Sequence, residues 1–381
     1  NFLKITIYSS NKMLNNSIKS RTIKNLGKGL FSKSSPSYLI LYVNNICQLR
    51  CDMCFYWDAM QKKTKQLSLD EITKLSKSLP NLLQLTLTGG EPSLRKDITE
   101  IPKIFSKYSN LSKCTMVTNG MLHERIREQV NTFVNENKSI DFRISISMDG
   151  IGDLHDKIRG IKGSFSKAEK TLNLLFKIRD QVPNLWIDIA TTISKYNYEK
   201  FEEIHNYIIT NYPIDNHGCT FTRGKTKEAD AKEIPIEHYT RAKELIIKNR
   251  ELRDHPFQKL TSIVTDTVRD EVERELKTNK HDFDCIAGLK FIEVYQDGNV
   301  VPCEILETLV DDDEKYKMGN LQDFDFNIQK LLKSKRALDV IKFIKESKCH
   351  CTFECAKYMD VIYNKKFYPK LIKNAVKRIL K

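Results

Sequence analysis

The sequence predicts an α/β fold: a partial (β/α)6 barrel of the TIM type, followed by a smaller C-terminal α+β domain rich in cysteine. Three observations carry this. Six short apolar runs recur along residues 38–225, with helix-like stretches between them. Alternation of that kind implies parallel pairing through right-handed crossovers. After Cys285 the texture changes to a hairpin and a second group of cysteines.

In order, residues 1–37 are polar, basic and poorly periodic and read as an arm or short helix. The strand-like runs are Leu39–Val43, Leu82–Thr88, Lys113–Thr118, Phe142–Met148, Leu185–Ile193 and Cys219–Thr222. The first long helix opens with Ser68 and Glu71 at capping-box spacing. Further helices are expected over 97–108, 123–137, 164–181 and 198–210. The fourth of these five carries Leu172, Leu175 and Phe176 at helical spacing. Six units are too few for a complete eight-unit barrel. A partial barrel and an open wound sheet both fit, and periodicity does not choose between them; the partial barrel is the expectation taken forward. Residues 226–280 are charged and helical, broken at Pro235 and Pro256, and read as a helical connector. Over 281–362, Phe291–Tyr295, Asp297-Gly298 and Val300–Pro302 form a hairpin pattern with a tight turn. The basic tail, 363–381, sets Leu371, Ile372, Ala375, Val376, Ile379 and Leu380 against lysines.

The chain has 381 residues, enough to bury a large core, with 40% hydrophobic and 29% charged residues. No apolar run approaches membrane-spanning length, and no signal peptide is read at the start, which is Asn1. The net charge of +14 is spread along the chain. It fits a solvated lysine-rich surface, and without an aromatic-and-basic recognition motif no nucleic-acid partner is expected.

Ten cysteines decide more. Eight fall in tight groups, at 47/51/54, 285/303 and 349/351/355; Cys114 and Cys219 stand alone in strand-like runs and read as core. Ligands two to four residues apart suit metal binding better than a disulfide framework. Three thiolates can hold three irons of a cubane and leave the fourth open to a chelating substrate. Zinc would need a fourth ligand, and the loop from Asn45 to Trp57 contains no histidine.

The Cys47-x3-Cys51-x2-Cys54 spacing resembles the defining motif of the radical S-adenosylmethionine (SAM) superfamily. That resemblance implies a [4Fe–4S] cluster on these cysteines with SAM chelating the open iron. An electron from a reductant such as flavodoxin or ferredoxin then releases methionine, and a 5′-deoxyadenosyl radical abstracts a substrate hydrogen. Met53 stands where the family often has an aromatic residue. Three more features follow at successive strand ends. Gly89-Gly90-Glu91-Pro92 resembles the family motif that meets the SAM amino group. Two glycines admit a close approach, and a carboxylate complements an ammonium. Thr118-Asn119-Gly120 resembles a family turn. In the fourth, the resemblance places Ser145 or Ser147 near the ribose, with Asp149 in the same motif, and Arg159 on the SAM carboxylate, which a guanidinium fork suits. Thr191, Thr192 and Asn197 offer further polar contacts, and Arg223 ends the sixth strand at the same mouth. No catalytic residue beyond these is assigned.

Cys285-x12-Gly298-x4-Cys303 resembles the opening of the SPASM and twitch domains, which hold auxiliary iron–sulfur clusters. With Cys349, Cys351 and Cys355 the chain offers five cysteines, so one auxiliary [4Fe–4S] cluster is expected and one thiol is left over. Cys285 and Cys303 are the firmest ligands, with Cys351 and Cys355 favoured for the rest; four thiolates would serve zinc equally well. The expected function is a radical SAM oxidoreductase whose auxiliary cluster relays an electron. Its substrate is a peptide, or a lipid or lipid-linked molecule given the basic tail. A small alcohol or sugar is an alternative substrate, and an iron–sulfur electron carrier without SAM chemistry an alternative class. The expected location is cytoplasmic, with peripheral membrane contact through the tail. No cobalamin-binding sequence is read ahead of the barrel, so cobalamin-dependent methylation is not expected.

Overall fold

In a computed structural model, residues 2–32, 35–250, 257–280, 283–309, 316–349 and 351–379 are described. The strands are β1 Tyr38–Asn44, β2 Gln84–Gly89, β3 Lys113–Thr118, β4 Asp141–Ser147, β5 Leu185–Ile193, β6 Asn216–Phe221, β7 Phe291–Val294, β8 Asn299–Val301 and β9 Gly319–Asn320. They form one sheet in the order β6-β5-β4-β3-β2-β1-β7-β8-β9. The first six pair in parallel and in chain order. A wound open sheet reverses its strand order at a switch point; this one does not, so it is the partial barrel. β7 adds in parallel to β1, and β8 and β9 follow antiparallel, so the barrel stays unclosed and its sheet runs on into the C-terminal domain.

Alternation along each strand divides the side chains. Leu39, Leu41, Leu85, Leu87, Ile144 and Ile187 are buried, in one core with Ile72, Phe105, Val130 and Leu172 of the helices. The other face turns inward and is more polar. Helices α2 Leu69–Lys77, α3 Glu100–Ser109, α4 His123–Glu136, α5 Asp153–Arg159, α6 Ser164–Arg179 and α7 Phe201–Asn211 lie between strands. The capping box is formed: the Glu71 amide donates to Ser68 Oγ at 3.3 Å and the Ser68 amide to Glu71 Oε2 at 2.8 Å.

Three segments carry more structure than the sequence expectation specified. Residues Phe2–Phe31, expected as an arm or short helix, form a 30-residue helix (here α1, preceding α2). Its second half docks by hydrogen bonds: Asn25 Nδ2 donates to the Leu82 and Asn110 carbonyls, and Arg21 to the Leu111 carbonyl. Its buried face, Ile18, Thr22, Asn25 and Gly29, is mostly polar or small, so no apolar stripe announces it. The expected connector is two packed helices, α8 Ile236–Lys248 and α9 Gln258–Thr278, which share a core with Phe221, Val361 and Phe367. Its charges face other charges: α9 Glu275 and Glu271 meet Lys357 at 2.5 Å and Lys370 at 2.6 Å. Helices α10 Lys335–Glu346, α11 Glu354–Tyr363 and α12 Tyr368–Ile379 complete the chain. In α12 the apolar residues divide. Leu371 packs inward, while Ile372 and Val376 are 64% and 48% exposed; Leu380 lies outside the described residues. No described helix is long and apolar enough to cross a membrane.

Candidate functional site

A cavity of about 220 Å³ opens at the C-terminal ends of the barrel strands. Parallel α/β sheets build sites there, because strand ends and loops converge. Cys47, Cys51, Cys54, Gly89, Gly90, Glu91, Asn119, Ser147, Arg159, Thr192 and Arg223 all line it. Pro92, Ser145 and Asp149 do not. Pro92 starts a buried 3-10 turn, Ser145 lies one pleat deeper in β4, and Asp149 is buried behind Arg159.

The cysteine loop is clamped on two sides. The Gly90 and Glu91 amides donate to the Asn44 and Ile46 carbonyls at 3.0 and 2.7 Å. A Cβ at Gly89 or Gly90 would sit 2.2 Å from those oxygens, and Gly89 has φ +137°. The close approach these glycines allow is therefore to the cysteine loop itself. On the other side, the Arg50 and Asp52 amides donate to the Arg159 and Ile158 carbonyls.

Glu91 is wholly buried, and its carboxylate accepts from the Ser93 amide and hydroxyl, Thr118 Oγ1 and the Asn119 amide, at 2.6–3.0 Å. Those donors occupy the carboxylate that was expected to face an ammonium; the side chain ties the ends of β2 and β3 together. Arg159, expected on a ligand carboxylate, pairs with buried Asp149 at 2.5 Å and points its other nitrogen at Cys51 Sγ, 3.8 Å away. Asp149 in turn accepts from the Thr192 amide at 2.7 Å. Asn119 Nδ2 reaches Cys47 Sγ at 3.8 Å. Thr191 faces away, donating to the Met148 carbonyl, and Asn197 donates to the Asp149 and Thr192 carbonyls, so both are scaffold.

Burial pushes the Cys47 thiol up to about 11 and Cys54 up to about 12, and raises Cys51; the nearby Arg159 charge pulls each back in part. Such thiols stay protonated at neutral pH until a metal displaces the proton. Among the described residues no three His, Cys, Asp or Glu side chains converge tightly enough for a single metal ion. The donor set fits one face of a sulfide-bridged cluster, with hydrophobic Leu49, Met53 and Phe55 around it.

Arg223 joins this mouth to the C-terminal domain. Its guanidinium donates to Glu304 and Glu354, each at 2.8 Å, and lies over the Phe353 ring, 4.4 Å from its centroid. In that domain Cys285 is influenced by Cys351 and Cys303, and Cys303 by Cys351 and Cys349. The sequence favours Cys355 over Cys349; in the structure Cys355 lines a cavity at the opposite, N-terminal end of the barrel together with Tyr38 of β1. Sequence reading missed Tyr56, Thr220, Glu304 and Glu354. Adjacency was the available signal for three of them: Tyr56 follows Cys54 by two, Glu304 follows Cys303, and Glu354 precedes Cys355. The lone Cys114 and Cys219 are buried in β3 and β6, as core residues.

Comparison with known proteins adds family to geometry. Residues 41–208 match the radical SAM superfamily, and residues 285–356 match SPASM, an iron–sulfur cluster-binding domain. The chain is 26% identical over 282 residues to the sporulation killing factor maturation protein SkfB of Bacillus subtilis (strain 168), covering 72% of this chain. It spans 62% of the length of that relative. The fold is that of native anSMEcpe with bound AdoMet and Kp18Cys peptide (TM-score 0.56, 19% identity, 90% of this chain and 99% of that one). It is also that of Streptococcus suis SuiB bound to precursor peptide SuiA (TM-score 0.55, 18% identity, 92% and 69%).

Proposed function

We propose, for a chain that belongs to the radical SAM superfamily and carries an SPASM domain behind its barrel, that it is an enzyme which reductively cleaves SAM to modify a peptide. The observation that carries this reading is the meeting of three thiols, an arginine and strand-end hydroxyls in one cavity at the barrel mouth. Cys47, Cys51 and Cys54 would hold three irons of a [4Fe–4S] cluster, leaving the fourth for the amine and carboxylate of SAM. When bound, cluster and SAM supply a one-electron cleavage that yields a 5′-deoxyadenosyl radical, which takes a hydrogen atom from the substrate. The chain's own residues bind and orient. Ser147, Thr192 and Thr220 offer hydroxyls to the ribose. Arg159 keeps a positive charge beside Cys51, suited to an anionic cluster and a carboxylate. Leu49, Met53 and Phe55 keep water from the reacting atoms. The C-terminal cysteines would hold one auxiliary cluster as an electron relay, and a flavodoxin or ferredoxin is the expected reductant.

The peptide reading is supported by what the relatives are named for: maturation of a killing factor, and structures solved with a precursor peptide or a Kp18Cys peptide. A lipid-linked substrate is a second reading, favoured by the exposed apolar pair Ile372 and Val376 on a basic helix.

The test uses iron-loaded protein under anaerobic conditions with dithionite and SAM. Wild type should release 5′-deoxyadenosine, and Cys47→Ala should fall at least a hundredfold, to background. A precursor peptide encoded beside the gene should change mass in the same reaction. Fully iron-loaded wild type that makes no 5′-deoxyadenosine overturns the enzyme reading; an unaltered peptide alongside brisk SAM cleavage overturns the peptide reading.

A further inference from the structure

The C-terminal domain presents five cysteines for the four places of one cluster. We propose that Cys285, Cys303, Cys349 and Cys351 hold the auxiliary cluster and that Cys355 is a non-ligating thiol turned into the barrel. This rests on the proposed iron–sulfur function of that domain.

Helix geometry separates the two sides of α11. Residues at i, i+3 and i+7 share a helix face, so Cys355, Tyr358 and Ile362 point the same way. Cys355 and Tyr358 line a cavity of about 360 Å³ at the N-terminal end of the barrel, with Tyr38, Thr115 and Arg143. The Cys355 thiol thus shares this cavity with Tyr38, a β1 residue. Asp360 lies five residues further on, about 140° round the helix. Its Oδ1 accepts from the Ile286 amide at 2.9 Å, which fixes the residue next to Cys285 against that side. The Cys285 loop and the Cys355 thiol thus lie on different sides of one helix.

The other three thiols come from separate elements, next to the ends of β8, α10 and α11. Cys303 follows β8 and is buried. Lys348, at φ +50°, breaks the chain direction after α10, and the Cys349 amide then donates to the Ile344 carbonyl at 3.2 Å. Cys351 follows two residues later and precedes α11. Their electrostatic neighbours agree with this grouping. Cys285, Cys303 and Cys349 each feel Cys351, whereas the charges that act most on Cys355 are those of Arg223, Glu304 and Glu354.

The experiment measures iron and sulfide per chain and the EPR spectrum of dithionite-reduced protein. It uses the full chain carrying Cys47→Ala, Cys51→Ala and Cys54→Ala, so that only the second site counts. With all five C-terminal cysteines present, this protein should retain about four irons; no iron at all overturns the cluster reading of the domain and leaves the ligand question with it. Adding Cys355→Ala should leave the iron content and EPR signal unchanged. Adding Cys349→Ala should lower the iron at least twofold and change the signal. Loss of iron on Cys355→Ala, or retention on Cys349→Ala, overturns the assignment. Cys349→Ser and far-UV circular dichroism guard against a folding defect: a folded Cys349→Ser protein with wild-type EPR also counts against it.

Discussion

Arg223 is the residue on which the two domains meet. Burial works against its charge, but Glu304 and Glu354 more than offset this, so the guanidinium is held protonated beyond its ordinary value. Removing it leaves two carboxylates facing each other with little water. Arg223→Ala should therefore cost about 3 kcal/mol of stability, read as a lower denaturant midpoint. Arg223→Lys should recover only part, since one ammonium cannot fork to two carboxylates; a full recovery would show that charge alone mattered. Neither partner was legible from the sequence, because they lie 81 and 131 residues away. The cysteines and glycines were legible for the opposite reason: local spacing is what a cluster and a tight approach demand. Glu91 and Arg159 fall between. Their positions stood out, but the structure spends Glu91 on Ser93, Thr118 and Asn119, and Arg159 on Asp149, contacts that no local pattern encodes.

At the scale of elements, the barrel strands were readable because their buried faces are short apolar runs packed under helices, of Leu and Ile in β1, β2, β4 and β5 and of Cys114 and Met116 in β3. Helix α1 was not, since Asn25 and Arg21 dock it by hydrogen bonds, and α9 hid its packing behind glutamates that meet lysines of α11 and α12. Helix α12 is the informative remainder. Lys370 and Asn374 tie one side to α9, through Glu271 and Thr267. Ile372 and Val376, four apart and so neighbours on the helix surface, stay exposed beside Lys373. An apolar pair flanked by lysines suits an anionic bilayer surface. If that face meets membrane, full-length protein should float with vesicles containing phosphatidylserine, and the Ile372→Ser, Val376→Ser double variant should lose several-fold of that binding. Equal absence of both from the floating fraction would remove the lipid reading and leave the peptide reading untouched.

For the whole molecule, three histidines are buried around the barrel, His155, His205 and His217. His155 backs the site, accepting from the Asp149 amide through Nδ1 at 3.2 Å. His217 of β6 meets Thr191 of β5 and His205 of α7, each at 2.8 Å, along the barrel's edge strand. Burial drives the His155 pKa down from 6.5 to about 3 and lowers His217 and His205 as well; Arg159 also depresses His155, and His205 and Arg269 depress His217. The sign follows from linkage. The unfolded imidazoles take protons near pH 6.5, whereas folded His155 refuses until about 3. Their contribution to stability is full above 6.5 and is lost as pH falls through that window. Each such histidine steepens the loss by about 1.4 kcal/mol per pH unit. Glu91 and Asp149 act in the opposite sense, because burial raises their pKa and the fold then binds their protons more tightly. Total stability thus mixes both, and a variant isolates the histidine part. His155→Gln keeps an acceptor for the Asp149 amide and cannot titrate. Denaturant titrations of the metal-free protein at pH 7, 6, 5 and 4 should show wild type losing stability relative to His155→Gln below pH 6.5, by a widening margin. A constant difference across that range would mean that His155 does not resist protonation in the fold, and that the packing behind the site admits water.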